Sequence, residues 1–170
     1  RLRLTGQLAL REQNADLAIR AYELIGQSTL AETGDFDALI AMSAGPAPQT
    51  AARAALAAWE RFRESRYLTR ALGFYAGSDQ WPAIGKLLER LKPDAPPPYD
   101  TLPALRRDAE FLRFCAAYHH HVGELRAARR DLVAALALAP RSDEIRSSLL
   151  WVLIDSNDAP ALRRFLAGNE

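Results

Sequence analysis

GELRAARRDLVAALALAP, residues 123–140, places Leu125, Ala128, Leu132, Ala135 and Leu136 three or four positions apart, so they fall on one side of an α-helix. Pro140 ends the segment, because it has no N–H to donate and its ring clashes with the preceding turn. Two members of the stripe, Ala128 and Ala135, are small and seven residues apart. Side chains of that size on one line let a second helix come close, and these two are expected where helices cross.

The same spacing runs outward through the chain. Of 170 residues, 32 are Ala and 26 are Leu, against three Val and six Ile. Branching at Cβ restricts rotamers in a helix and suits a strand, so this balance excludes a sandwich, a barrel or a doubly wound sheet. Breaks at Asn14, Gly34-Asp35, Gly45-Pro46, Ser78-Asp79, Gly123, Pro140-Arg141-Ser142 and Asn157-Asp158 divide the chain into about ten helices. Ser78 or Asp79 before Pro82, Asp100 or Thr101 before Pro103, and Asp158 before Pro160 each put an oxygen acceptor ahead of a first-turn proline, as helix caps do. Lys92 to Pro103 holds five of the ten prolines and is the one candidate excursion.

Ala128, Leu132, Ala135 and Pro140 have offsets of four, seven and twelve, which resembles the second helix of the tetratricopeptide repeat, a unit of 34 residues. Counting back starts that repeat at Ala109, with Leu112, Cys115, Ala116 and His119 where the family prefers Trp, Leu, Gly and Tyr. A step forward starts the next at Asp143, and a step back of 34 plus an insertion starts another at Glu64. An earlier frame begins at Thr33, and the N-terminal segment sets Leu2 and Gly6 against Ala18, Tyr22 and Ile25. The resemblance implies an all-α fold, with antiparallel helix pairs stacked as a right-handed solenoid. It has about five repeats over residues 1–170, the last truncated and an excursion at 92–103. Stacking is the physical requirement, since one helix pair cannot bury its own apolar face.

Composition narrows the function. At 49% hydrophobic and 25% charged residues with a formal net charge of +1, the chain has no field that would draw it to nucleic acid or anionic lipid. No stretch approaches the length of a membrane span, so no membrane insertion of this segment is expected. Cys115 has no partner for an internal disulfide and sits in an apolar helix, as a core residue. The opening Arg-Leu-Arg-Leu reads as a piece of something longer, its targeting signals absent.

Catalytic patterns are scarce. His119-His120-His121 project about 100° apart on a helix, so they do not converge on one ion, and helical metal pairs need i, i+4 spacing. Asp35 with Asp37, and Asp143-Glu144, sit at helix starts, where carboxylates favour the positive end of the helix dipole. There is no phosphate loop, nucleophile elbow or zinc signature. The expectation is a chain without catalytic residues, cofactor or metal.

In tetratricopeptide folds the second, fifth, ninth and twelfth residues of each repeat line the concave face. The resemblance therefore implies a lining of Ser65, Leu68, Leu72 and Tyr75, then Glu110, Arg113, Ala117 and His120, then Glu144, Ser147, Trp151 and Ile154. Tyr75, Arg113, His120, Ser147 and Trp151 are the candidate partner-binding residues, with Arg113 suited to a partner carboxylate through two parallel bonds. Residues 149–155 and 161–166, LLWVLID and ALRRFL, further resemble a repeat of the Pel-type exopolysaccharide export proteins. Those proteins join a periplasmic repeat array to an outer-membrane β-barrel.

That likeness implies a periplasmic scaffold that docks a polysaccharide-modifying deacetylase/hydrolase and helps guide polymer to the barrel, with exopolysaccharide as a second candidate partner. Open alternatives are a repeat module of a cellulose or alginate exporter, a cytoplasmic repeat adaptor, and an enzyme with dispersed catalytic residues.

Overall fold

Helix starts carry the side-chain chemistry that orphan first-turn amides require. The Asn14 side chain accepts from Leu17 N–H, Asp108 from Glu110 and Phe111, Ser142 from Ile145, and Asp158 from Ala161. The computed structural model describes residues 1–91, 97 and 99–168. All regular structure among them is helical: α1 (Leu2–Arg11), α2 (Ala15–Gly26), α3 (Thr33–Ser43), α4 (Pro48–Phe62), α5 (Ser65–Gly77), α6 (Trp81–Arg90), α7 (Leu102–Leu105), α8 (Ala109–His121), α9 (Leu125–Leu138), α10 (Asp143–Asp155) and α11 (Ala159–Ala167). Ten correspond to the helices read from spacing; α7 is a four-residue addition behind a 3₁₀ turn at Tyr99–Thr101. In the proline-rich excursion, Lys92 to Pro96 and Pro98 lie outside the described residues.

Gly34-Asp35, expected as a break, lies inside the first turn of α3. No intrahelical amide bond is needed there, and the Asp35 carboxylate accepts from Glu32 N–H at 2.9 Å. The chain divides into two compact units, Arg1–Gln80 and Trp81–Glu170.

One turn recurs. Asn14, Gln80, Glu124 and Asp158 each donate N–H to the carbonyl five residues back, on Ala9, Tyr75, His119 and Leu153. Each turn passes through a residue at positive φ: Gln13 (57°), Asp79 (54°), Gly123 (80°) and Asn157 (50°). This left-handed stop satisfies a last-turn carbonyl, and within each unit the helices it joins, α1 with α2, α8 with α9 and α10 with α11, pack on each other. Gly123 takes the conformation without the Cβ penalty that the other three carry.

These turns also correct the third repeat. Tyr75 corresponds to His119 and Leu153, and α5 begins at Ser65 where α8 begins at Ala109, so the frame starts one residue later than Glu64. Leu68 and Leu72, expected on the lining, are fully buried beside Tyr67 and Ala71. The 34-residue period does not carry across the proline stretch, whose length has no periodic signal.

In the first unit, α1 pairs with α2 and α3 with α4, and α5 packs on α4. Ala51, Ala52, Ala55 and Ala58 on α4 are fully covered, and Trp59 on the same helix is also buried. In the second unit, α8 pairs with α9 and α10 packs on α9. Its core joins Leu112, Ala116, Ala128, Leu132, Ala135, Ile145, Leu149, Val152, Leu153 and Ala161. Ala128 and Ala135 have no exposed surface.

Ion pairs tie first helices together across repeats. Arg3 of α1 donates to both Asp35 oxygens, at 2.9 and 2.7 Å, and to Leu30 O at 3.0 Å. Asp35 is only 7% exposed, and its bonds from Arg3 hold the carboxyl below the usual range. Asp37 of α3 meets Arg70 at 3.1 Å and Arg66 at 3.5 Å.

Two predictions follow from this packing. Ala128→Leu and Ala135→Leu each overpack a closed seam and should cost about 1 to 3 kcal/mol, and a Cβ at Gly6 would stand 2.6 Å from the buried Tyr22 ring, so Gly6→Ala should lower the melting temperature as well. Unchanged thermal melts of all three variants would contradict the packing described. Because the folded pKa of Asp35 is depressed, its contribution is present above the unfolded pKa and is lost as pH falls through the folded value. Thermal melts across the acid range should therefore show a steeper loss for the native chain than for Arg3→Gln.

Candidate functional site: the cleft between α8 and α10

Helices α8 and α10 lie in contact within the second unit, both resting on α9. Their facing stripes are Arg113, Ala116, Ala117 and His120 on α8, and Ser148, Trp151 and Val152 on α10. With Leu132 of α9 they enclose an open cleft of about 200 Å³. Ala116, Leu132 and Val152 are buried and form an apolar floor, whereas Trp151 is 61% exposed. Small alanines on α8 make the room: a larger residue at 116 or 117 would fill it.

Polar groups close both ends. Arg113 donates from Nε and Nη2 to Glu110 Oε2, at 3.1 and 2.8 Å, and its Nε lies 3.8 Å from Glu144 of α10. Its guanidinium also rests 4.3 Å from the centre of the Phe114 ring. The fork expected for a partner carboxylate is therefore already turned toward the chain's own Glu110. At the other end His120 Nε2 and Asp155 Oδ2 are 2.6 Å apart, bridging α8 and α10.

Of the five residues proposed from sequence, Arg113, His120 and Trp151 line this one cleft. Ser147 is exposed on α10, next to the lining residue Ser148. Tyr75 belongs to the other unit, is half-buried, and has Arg53 and Glu60 of α4 in its electrostatic surroundings; burial raises its pKa. With α5 counted from Ser65, the residues in register with Glu110, Arg113, Ala117 and His120 are Arg66, Thr69, Gly73 and Ala76. Glu144 and Asp155 carry much of the cleft's charge; Glu144 was expected on the lining, whereas Asp155 was not singled out from sequence. Their signal was a near-period: Arg113 and Glu144 are 31 apart, His120 and Asp155 35.

The three consecutive histidines go three ways. His119 Nδ1 is 2.8 Å from Asp131 Oδ2, His120 meets Asp155, and the ring of His121 stacks on Trp81 at 4.6 Å and 14°. Among the described residues, no group of three or more His, Cys, Asp or Glu side chains could hold a metal ion. On the opposite side of α8, a second cleft of about 250 Å³ includes Phe111, Cys115, His119 and Asp131. Burial pushes the Cys115 thiol up to about 12, so at neutral pH it is protonated and a poor nucleophile. Thiol labelling with iodoacetamide at neutral pH should proceed only after denaturant is added; fast labelling of the folded chain would contradict this.

Tandem helix pairs closed by one recurring turn, with an open cleft between successive first helices, define a helical-repeat interaction scaffold. Residues 2–169 match the family described as Tetratricopeptide repeat, and the chain belongs to that family. A solved structure described as "MamA RS-1 ArsTM double mutant" is similar over 98% of this chain and 89% of that one, with a TM-score of 0.68 and 14% identity. At that identity the likeness speaks for the fold alone. No curated protein matched the chain by sequence. No helix among the described residues is long and apolar enough to cross a membrane.

Proposed function

We propose that the chain is a non-enzymatic docking segment whose α8/α10 cleft binds a protein partner, and that it serves as the periplasmic repeat region of a Pel-type exopolysaccharide export protein. The observation that carries the docking reading is Trp151. A large ring stands 61% exposed above an apolar floor, beside Arg113 and His120 and one turn from Ser147. Covering the exposed part of such a ring contributes roughly 2 to 3 kcal/mol at ~25 cal/mol per Å², and aromatic anchors of this kind dominate interfaces.

The finer assignment is supported by the likeness of residues 149–155 and 161–166 to the repeat region of PelB. A polysaccharide-modifying deacetylase/hydrolase is then the partner, held near the route of the polymer, with the scaffold supplying position rather than chemistry. The composition, with 20 Arg and two Lys, suits a GC-rich bacterial source.

The test is calorimetric titration of the purified chain with the deacetylase/hydrolase of a Pel-type pathway. Binding is expected, and Trp151→Ala should weaken it by about 2 kcal/mol, roughly thirtyfold. Arg126→Glu, on the exposed side of α9, should leave it unchanged, and Tyr75→Ala reports whether the third repeat takes part. Absence of binding would remove the Pel assignment. Loss with Arg126→Glu but not with Trp151→Ala would move the docking face to the second helices.

A further inference from the structure

We propose that the α8/α10 cleft is selective for a cationic side chain, an Arg or Lys from a basic segment of the protein partner, laid on the exposed face of Trp151. This rests on the docking reading above and adds the chemistry of what docks. Three carboxylates, Glu110, Glu144 and Asp155, border the cleft against one guanidinium, that of Arg113. Even a protonated His120 leaves negative charge in excess.

The placement of these charges decides the occupant. Arg113 is 23% exposed and engaged by Glu110, whereas Glu144 is 75% exposed and only 3.8 Å from a guanidinium that already has a closer partner. An arriving carboxylate would have to displace Glu110 and would face Glu144 and Asp155 at the cleft's two ends. An arriving cation meets both favourably. Glu144, Ser148, Trp151 and Asp155 share one stripe of α10 at offsets of four, three and four, so the aromatic face lies between the two carboxylates. Tryptophan is the strongest of the aromatic faces for a cation, and guanidinium stacks on it readily. The apolar floor of Ala116, Leu132 and Val152 suits the methylene stem of Arg or Lys.

A cleft of about 200 Å³ with one exposed aromatic fits a single side chain. A sugar polymer would be better served by successive aromatic platforms, and the cleft's lining contains only Trp151.

The experiment measures binding of short peptides, identical except for a central Arg, Lys, Gln or Glu, to the purified chain. Arg and Lys peptides should bind at least about tenfold more tightly than Gln or Glu peptides, and added salt should weaken them. Glu144→Gln combined with Asp155→Asn, both on exposed side chains, should reduce Arg-peptide affinity about tenfold, with circular dichroism confirming an intact fold. Arg113→Glu, which removes the guanidinium and adds a carboxylate, should strengthen it. A preference for the Glu peptide that Arg113→Glu abolishes would overturn the proposal, and so would equal binding of all four peptides. Tighter binding of glucosamine oligomers than of the Arg peptide would overturn it in favour of a cationic polymer. If Trp151→Ala abolishes binding of the deacetylase/hydrolase while no peptide preference exists, the docking reading stands and the cation proposal fails. If the Arg peptide binds as expected and the enzyme does not, the Pel assignment fails and this inference stands.

Discussion

Close approach of helices through alanine is the constraint on which the rest depends. Ala51, Ala52, Ala55 and Ala58 on α4, and Ala128 and Ala135 on α9, have no exposed surface. They remove bulk from the second helix of a pair, so a first helix can lie on each side of it. In the second unit α9 thereby carries both α8 and α10, and the distance between those two first helices is set by what lies beneath them. The cleft is a by-product of that spacing. Its floor residue Leu132 sits between Ala128 and Ala135, one turn from each, so the same stripe that brings the helices in also seals the cleft from below.

The turn does the complementary work. Four times the chain leaves a first helix through one left-handed residue and a backbone bond reaching back five positions. Side chains are nearly irrelevant there: Gln13, Asp79, Gly123 and Asn157 range from carboxamides through a carboxylate to no side chain at all. What they share is a place at the surface where the backbone bonds are satisfied internally, which tolerates a residue at positive φ at modest cost. This explains how repeats with few side chains in common keep a common geometry.

Much of the fold was legible because amphipathic spacing and caps are local. Asn14, Ser142 and Asp158 mark helix starts within a few residues of the amides they satisfy. The third repeat starts one residue later than the spacing predicts, because Lys92–Pro103 intervenes and a loop's length is not encoded in any period. That single step turns the lining by about 100°, enough to exchange buried Leu68 and Leu72 for Thr69 and Gly73. Arg113, His120 and Trp151 come to one cleft because repeat position alone brings them to the same face. Glu110 and Glu144 were placed on the lining by the same rule, but Asp155 was not, because its pairing with His120 depends on how far one repeat is offset from the next, which only the packed structure reveals.

The cross-repeat ion pairs have a consequence for how such an array could evolve. Asp37 and Arg66 occupy the fifth and second places of α3 and α5, and Arg113 and Glu144 occupy the same two places of α8 and α10. The signs are opposite. Loss of the intervening segment by recombination, which would seat α10 beside α3, would set Glu144 against Asp37. Repeats that look interchangeable by shape are thus keyed by polarity, and the order of this array is written into its charges as well as its covalent chain.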